Sequence, residues 1–195
     1  TSDLAVTVTR FVFGTEGGGK SSLRNAITQH CRWNRVLPIV YDNFQPLVDL
    51  LLTGKSVGIE DHVVQVLKAA IRTLARLDLE LGAEELPARD DYLSVLAAYA
   101  EACSPDILTR RALTSKWELR TDPDVKLPED TLSRLRVFCD CVGVLFQFDH
   151  IYFLVDPLGD IDPDFETAWQ VLEPLLSSNV FINLERDSDV AFIFF

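Results

Sequence analysis

Residues 14–22 read Gly-Thr-Glu-Gly-Gly-Gly-Lys-Ser-Ser, and far downstream the apolar run Ile-Tyr-Phe-Leu-Val, residues 151–155, ends on Asp156. Glycine loses more backbone freedom on folding than any other residue, so three in succession need a reason. A backbone without β-carbons can take positive φ values and wrap its N–H groups around a tetrahedral anion. Lys20 puts a cation directly after the glycines, within reach of the outer phosphates of a nucleotide, and the Ser21 hydroxyl is a hard oxygen ligand suited to Mg²⁺. A helix starting near Gly19 turns its positive end toward the same anion. A carboxylate at a strand end, Asp156, supplies a further contact to the metal, directly or through a water.

The spacing from Gly14 to Ser21 fits G-x-x-x-x-G-K-[ST], the P-loop or Walker A motif, in its expected context of apolar strand, glycine-rich turn and amphipathic helix. The expected nucleotide-binding set is Gly14, Thr15, Glu16, Gly17, Gly18, Gly19, Lys20, Ser21 and Ser22, with the Glu16 side chain turned to solvent because like charges repel. Asp156 takes the place of a Walker B aspartate, so Ser21 and Asp156 are the expected metal contacts. Hydrolysis also needs a group to position water. Many ATPases of this division carry Glu directly after that aspartate, whereas here the position is Pro157. The nearest acids are Asp160 and Asp162, and Asp160 is the candidate, which makes the expected catalytic set Lys20, Asp156 and Asp160. The expected cofactors are ATP or ADP with Mg²⁺.

These residues need strands and helices to hold them. Leu4 to Phe13 reads as a buried strand, and from Gly19 a helical pattern sets Leu23, Ala26, Ile27 and Cys31 on one face. Arg35 to Tyr41 is a second strand, with Pro38 favouring an edge position. A long helix is expected from Glu60 to Leu81, stopped by Gly82. Asp90 is the expected cap of a helix over 91–102, and the polar, proline-marked residues 104–130 read as a long excursion. Leu132, Leu135, Cys139, Val142 and Phe146 share a helical face. His150 to Asp156 is the clearest buried strand. Asp162-Pro163 is expected to cap a helix with Phe165, Trp169, Leu172 and Leu176 inward, before a last strand over 189–195. Strands apolar on both faces, alternating with helices, predict an α/β fold. It is expected to be a three-layer P-loop NTPase architecture, mostly parallel, with helices on both faces.

The chain has 195 residues, which fits a single nucleotide-binding domain over 1–195. It contains no methionine, so it is expected to be a segment of a larger protein. A net charge of −12 argues against general nucleic-acid binding, which needs clustered Lys and Arg. No apolar run reaches the length of a membrane span and no signal peptide is visible, so no membrane partner and a cytoplasmic location are expected. Cys31, Cys103, Cys139 and Cys141 read as buried reduced thiols, a metal site with His30 or His150 being the alternative. His62, early in its helix, is expected to pack or cap.

The segments FVFGTEGGGKSSLR and IYFLVDPLGD resemble the STAND class of P-loop ATPases, relatives of AAA+ proteins that include NACHT-type and NB-ARC-type switches. VLPIVYDNF is similar to their second strand, and LEPLLSSNVFINLERDSDVAFIFF to the helix and sensor-strand region of bacterial members. The resemblance implies a switch that exchanges ADP for ATP, self-associates, and answers to sensor or effector domains elsewhere in its polypeptide. Asp156-Pro157-Leu158-Gly159-Asp160 departs from the D-G-x-D-E pattern common in that class, which predicts nucleotide binding with slow turnover. Two other readings stay open on the sequence. One is a small-molecule kinase using Arg110-Arg111 in a lid, and the other a non-catalytic interaction module with a structural nucleotide. A GTPase is disfavoured, because no [NT]-K-x-D motif is present.

Overall fold

Apolar six-residue runs settle as strands only where both sheet faces can be covered, and here both are. The computed structural model describes residues 9–12, 18–77, 79, 89–157, 165–187 and 189–195. Among these, the strands are β1 (Arg10–Phe11), β2 (Val36–Tyr41), β3 (His150–Val155) and β4 (Val190–Phe194). The helices are α1 (Lys20–Trp33), α2 (Gln45–Leu52), α3 (Ile59–Arg76), α4 (Arg89–Cys103), α5 (Ile107–Trp117), α6 (Thr131–Phe146), α7 (Phe165–Ser177) and α8 (Asn179–Asp187). The strands form one parallel sheet in the order β1-β4-β3-β2. Pro38, which cannot donate to a ladder, therefore lies on an edge strand among those described, as expected.

Alternation along the strands divides the core in two. Ile151, Phe153 and Val155 face a large cluster built with α3, α6 and α8, around which α2, α4, α5 and α7 form an outer tier. Tyr152 and Leu154 face the opposite way, into a smaller cluster closed by Ile27 and Cys31 of α1. The class is thus α/β, with an all-parallel sheet covered by helices on both faces.

Several elements differ from expectation. Only Arg10–Phe11 of the first strand belongs to the described residues. On α1, Ile27 and Cys31 are buried, but Leu23 is 43% exposed and Ala26 is also exposed, because the first turns stand beyond the strand ends. α3 stops at Arg76, where Leu77 turns extended, rather than continuing to Leu81; Gly82 lies outside the described residues. α4 begins at Arg89, so Asp90 is no cap and instead sits with Asp91 in the first turn, where the helix dipole favours acids. Within 104–130 lies α5, capped by Asp106 accepting from the Thr109 N–H at 2.8 Å and anchored by buried Leu113 and Trp117. The Asp162-Pro163 cap is likewise outside the described residues. α7 is rotated from the expected face: Val171 and Leu175 are buried, whereas Trp169 is 52% exposed.

A buried polar contact accompanies this face of α7. His62 of α3 is completely buried between two partners, with Nδ1 2.9 Å from the Tyr41 hydroxyl and Nε2 2.7 Å from the Val171 carbonyl. Neutral imidazole satisfies both contacts if Nε2–H donates to Val171 and Nδ1 accepts from Tyr41. His62 thereby joins β2, α3 and α7. Burial holds its pKa below the ordinary 6.5, outweighing the opposing effects of the Val171 hydrogen bond and the nearby Asp61 carboxylate. The unfolded chain binds this proton where the folded chain does not. Stability should therefore fall as pH drops below about 6.5 and level off below the folded pKa. Urea denaturation at pH 7 and pH 5 should show a smaller pH dependence in His62→Gln than in the wild type; equal slopes would remove His62 as the cause.

Candidate functional site

Gly19 is the pivot between the glycine run and α1. Its φ of +82° lies in the left-handed region, where an L side chain would be strained, and a Cβ built there meets nothing within 4 Å. Backbone conformation, not crowding, requires glycine at this position. The Gly19 carbonyl accepts the first helical bond, from the Leu23 N–H at 2.9 Å. Among the described residues no side chain caps the helix start, and no acid occupies the first turn. The 14-residue helix begins at Lys20, and its first-turn N–H groups form its positive end.

One turn further on, Arg24 ties this helix to the sheet. Its Nη1 donates to Asp156 Oδ2 at 2.8 Å and stands 3.6 Å from Asp42 Oδ2. Asp156 directly follows β3, and Asp42 directly follows β2. The two strands run in register, with Tyr41 opposite Val155, and the Asp156 N–H donates to the Tyr41 carbonyl at 3.0 Å. Asp42 and Asp156 thus leave neighbouring strands side by side at the carboxyl edge, where open parallel sheets bind ligands. Asp156 is only 9% exposed, and a carboxylate so shielded needs a partner. Arg24 is that partner.

Part of the expected set belongs to the described residues. Lys20 and Ser21 precede Arg24 by four and three residues, which puts all three on one side of α1. The Arg24–Asp156 contact thus places the Ser21 and Lys20 side of the helix toward the end of β3. Gly18, Ser21 and Ser22 are exposed at the helix start. Gly14, Thr15, Glu16, Gly17 and Asp160 lie outside the described residues. Pro157 is buried directly behind Asp156, so no carboxylate follows the aspartate immediately. Arg24 and Asp42 are the residues that motif reading passes over. The available signal was a cation one turn after the Lys-Ser pair, but its carboxylate partners are remote in sequence.

Other groups contribute less to this site. The four cysteines are free and buried, with burial pushing the Cys31 and Cys141 thiols up to about 12. They are packed, protonated thiols at neutral pH. Among the described residues no cluster of three or more His, Cys, Asp or Glu side chains could hold a metal. A groove of about 650 Å³ between the end of α2 and α7, lined in part by Lys55, Trp169 and Glu173, contains none of the motif residues. No helix among the described residues is long and apolar enough to cross a membrane. No protein-family model, curated protein or solved structure matches the chain.

The two contacts of Arg24 Nη1 differ in length and shielding, and this predicts unequal energetics. Asp156→Asn weakens a short, shielded charge-assisted hydrogen bond and should cost about 1–3 kcal/mol. Asp42→Asn removes a longer contact to a half-exposed carboxylate and should cost less than about 0.5 kcal/mol. Urea denaturation of both variants checks the order, and equal losses would contradict it.

Proposed function

We propose that this chain binds a Mg²⁺–adenine nucleotide at the start of α1 and acts as the nucleotide-dependent switch domain of a STAND-like P-loop ATPase. The observation that carries the proposal is the Arg24–Asp156 contact. It sets a strand-terminal carboxylate against the same side of α1 that presents Lys20 and Ser21, directly after a left-handed glycine. The residues present fit the nucleotide. The start of α1 offers backbone N–H groups to phosphate, Lys20 offers a cation, and Ser21 with Asp156 offers two hard oxygens to a magnesium ion. A magnesium ion held there would neutralise charge on the outer phosphates. The chain's own part is to bind and orient: Gly18 and Gly19 keep the approach open, and Asp156 holds a negative charge at the strand end.

Saturating ADP or ATP at about 100 times its dissociation constant should stabilise the domain by about 2.7 kcal/mol. In a domain of this size that raises the melting temperature by roughly 5–10 °C. Lys20→Ala should abolish most of the rise while leaving the nucleotide-free protein folded, and Asp156→Asn should keep nucleotide binding but weaken its magnesium dependence. An undiminished rise in Lys20→Ala would overturn the P-loop reading.

Turnover should be slow relative to binding. Rate depends on charge positioned around the transferring phosphoryl group, and a missing group there lowers rate far more than ground-state affinity. Pro157 occupies the position at which related ATPases carry their glutamate, leaving Asp160 at a different offset and on a shorter side chain. Single-turnover assays with labelled ATP should show retention of nucleotide over many minutes with little phosphate released. Transfer of phosphate to small acceptors would instead favour a kinase, and rapid multiple turnover by this chain alone would contradict the switch reading.

A further inference from the structure

We infer that Arg24 is the resident counter-ion of the metal position, holding Asp156 while magnesium is absent and yielding it when magnesium arrives with the nucleotide. The inference rests on the nucleotide reading above and adds to it a positioning residue and a mode of regulation. Its basis is the competition for one oxygen. Asp156 Oδ2 already accepts from Arg24 Nη1 at 2.8 Å, and the same nitrogen is 3.6 Å from Asp42 Oδ2. The Arg24 and Asp156 side chains are only 22% and 12% exposed, so solvent screens their charges poorly. A divalent ion brought to this carboxylate would meet a guanidinium at hydrogen-bond distance from the oxygen it needs.

Metal entry is then an exchange rather than an addition. Arg24 must leave Asp156, and the more exposed Asp42, at the end of the adjoining strand, is the nearby carboxylate that can keep it. Asp42 thus serves as the parking position, and the two carboxylates side by side give Arg24 two places to stand. Because Arg24 stabilises the metal-free arrangement, the protein should hold nucleotide without metal and require more magnesium than its own carboxylate would. A guanidinium is fixed in charge at any physiological pH, so only movement of the side chain can vacate the oxygen.

The test is a magnesium titration of ADP-saturated protein, read by thermal shift and by calorimetry, in wild type, Arg24→Gln and Arg24→Lys. Removing a charge-assisted contact from Asp156 should lower the magnesium concentration at half-effect by about tenfold in Arg24→Gln. Arg24→Lys, which retains the cation, should stay close to wild type. An unshifted midpoint in Arg24→Gln, with ADP still bound, would overturn the inference alone. Failure of wild type to bind ADP both with and without magnesium would overturn the nucleotide reading itself. Should Arg24→Gln not fold, the wild-type Arg24 Nε–H resonance, assigned by its loss in Arg24→Lys, gives the answer. It should move when magnesium is added to the ADP-bound protein, and a stationary resonance would sink the proposal.

Discussion

A carboxylate shielded from water at the end of a buried parallel strand has to be compensated, and much of the local geometry follows from how Asp156 is compensated. Its backbone N–H extends the ladder to Tyr41, which fixes where the side chain emerges. Its oxygen is met by Arg24, which fixes how far α1 slides along the sheet and how it is turned. With those two settings made, Lys20 and Ser21 have no independent freedom of placement, because they share the helix and the side that carries Arg24. The orientation of the glycine-rich end of α1 is thus set from the sheet. Breaking either partner would leave a charge with poor solvation, a larger loss than the worth of an exposed pair.

A second polar tie operates on the other side of the same edge. Tyr41 points into the large cluster, where its hydroxyl meets His62, and His62 in turn holds the Val171 carbonyl. Burial raises the Tyr41 pKa and lowers that of His62, so both groups are held neutral and their hydrogen bonds carry no charge to desolvate. The carboxyl ends of β2 and β3 are therefore gripped from both faces. An ion pair joins both strand ends to α1, and a neutral network joins that of β2 to α3 and α7. The ion pair involves largely shielded side chains at the sheet edge, whereas the neutral network sits wholly inside.

Much of this architecture was legible in the sequence, and the exceptions have physical reasons. β2, β3 and β4 were plain because runs such as Ile-Tyr-Phe-Leu-Val are apolar on both faces, the mark of a doubly covered strand. α6 was plain from its periodicity. The eight residues of α2 were not, since two turns that open with a proline are too short for a helical period to stand out. The buried face of α7, Val171 and Leu175, differs from the expected one and carries a His62 contact to the Val171 carbonyl, a relation between remote residues that hydropathy does not encode. At the candidate site, Gly19 and Lys20 were legible through local spacing. Arg24, Asp42 and Asp156 meet only through the β2–β3 register, a relation that a single sequence does not display.

A switch needs an element with two arrangements and a ligand that favours one of them by making different contacts in each. The two faces of the sheet are unequal in this respect. α3 buries eight residues against its surroundings, so displacing it would expose a large apolar area. Among the described side chains of α1, Ile27 and Cys31 alone are buried, and Cys31 is small. Apolar packing thus holds α1 far less tightly than it holds α3, leaving the Arg24 pair a correspondingly larger share in deciding where α1 sits. On the proposed reading, a ligand that changes which carboxylate Arg24 holds acts on the position of the helix whose first turn would bind it. On the proposed reading, occupancy of the phosphate position and placement of α1 are one equilibrium. On that reading charge sets the direction of the coupling: a second cation at Asp156 would displace the first, and the hold of Arg24 on α1 would change with it.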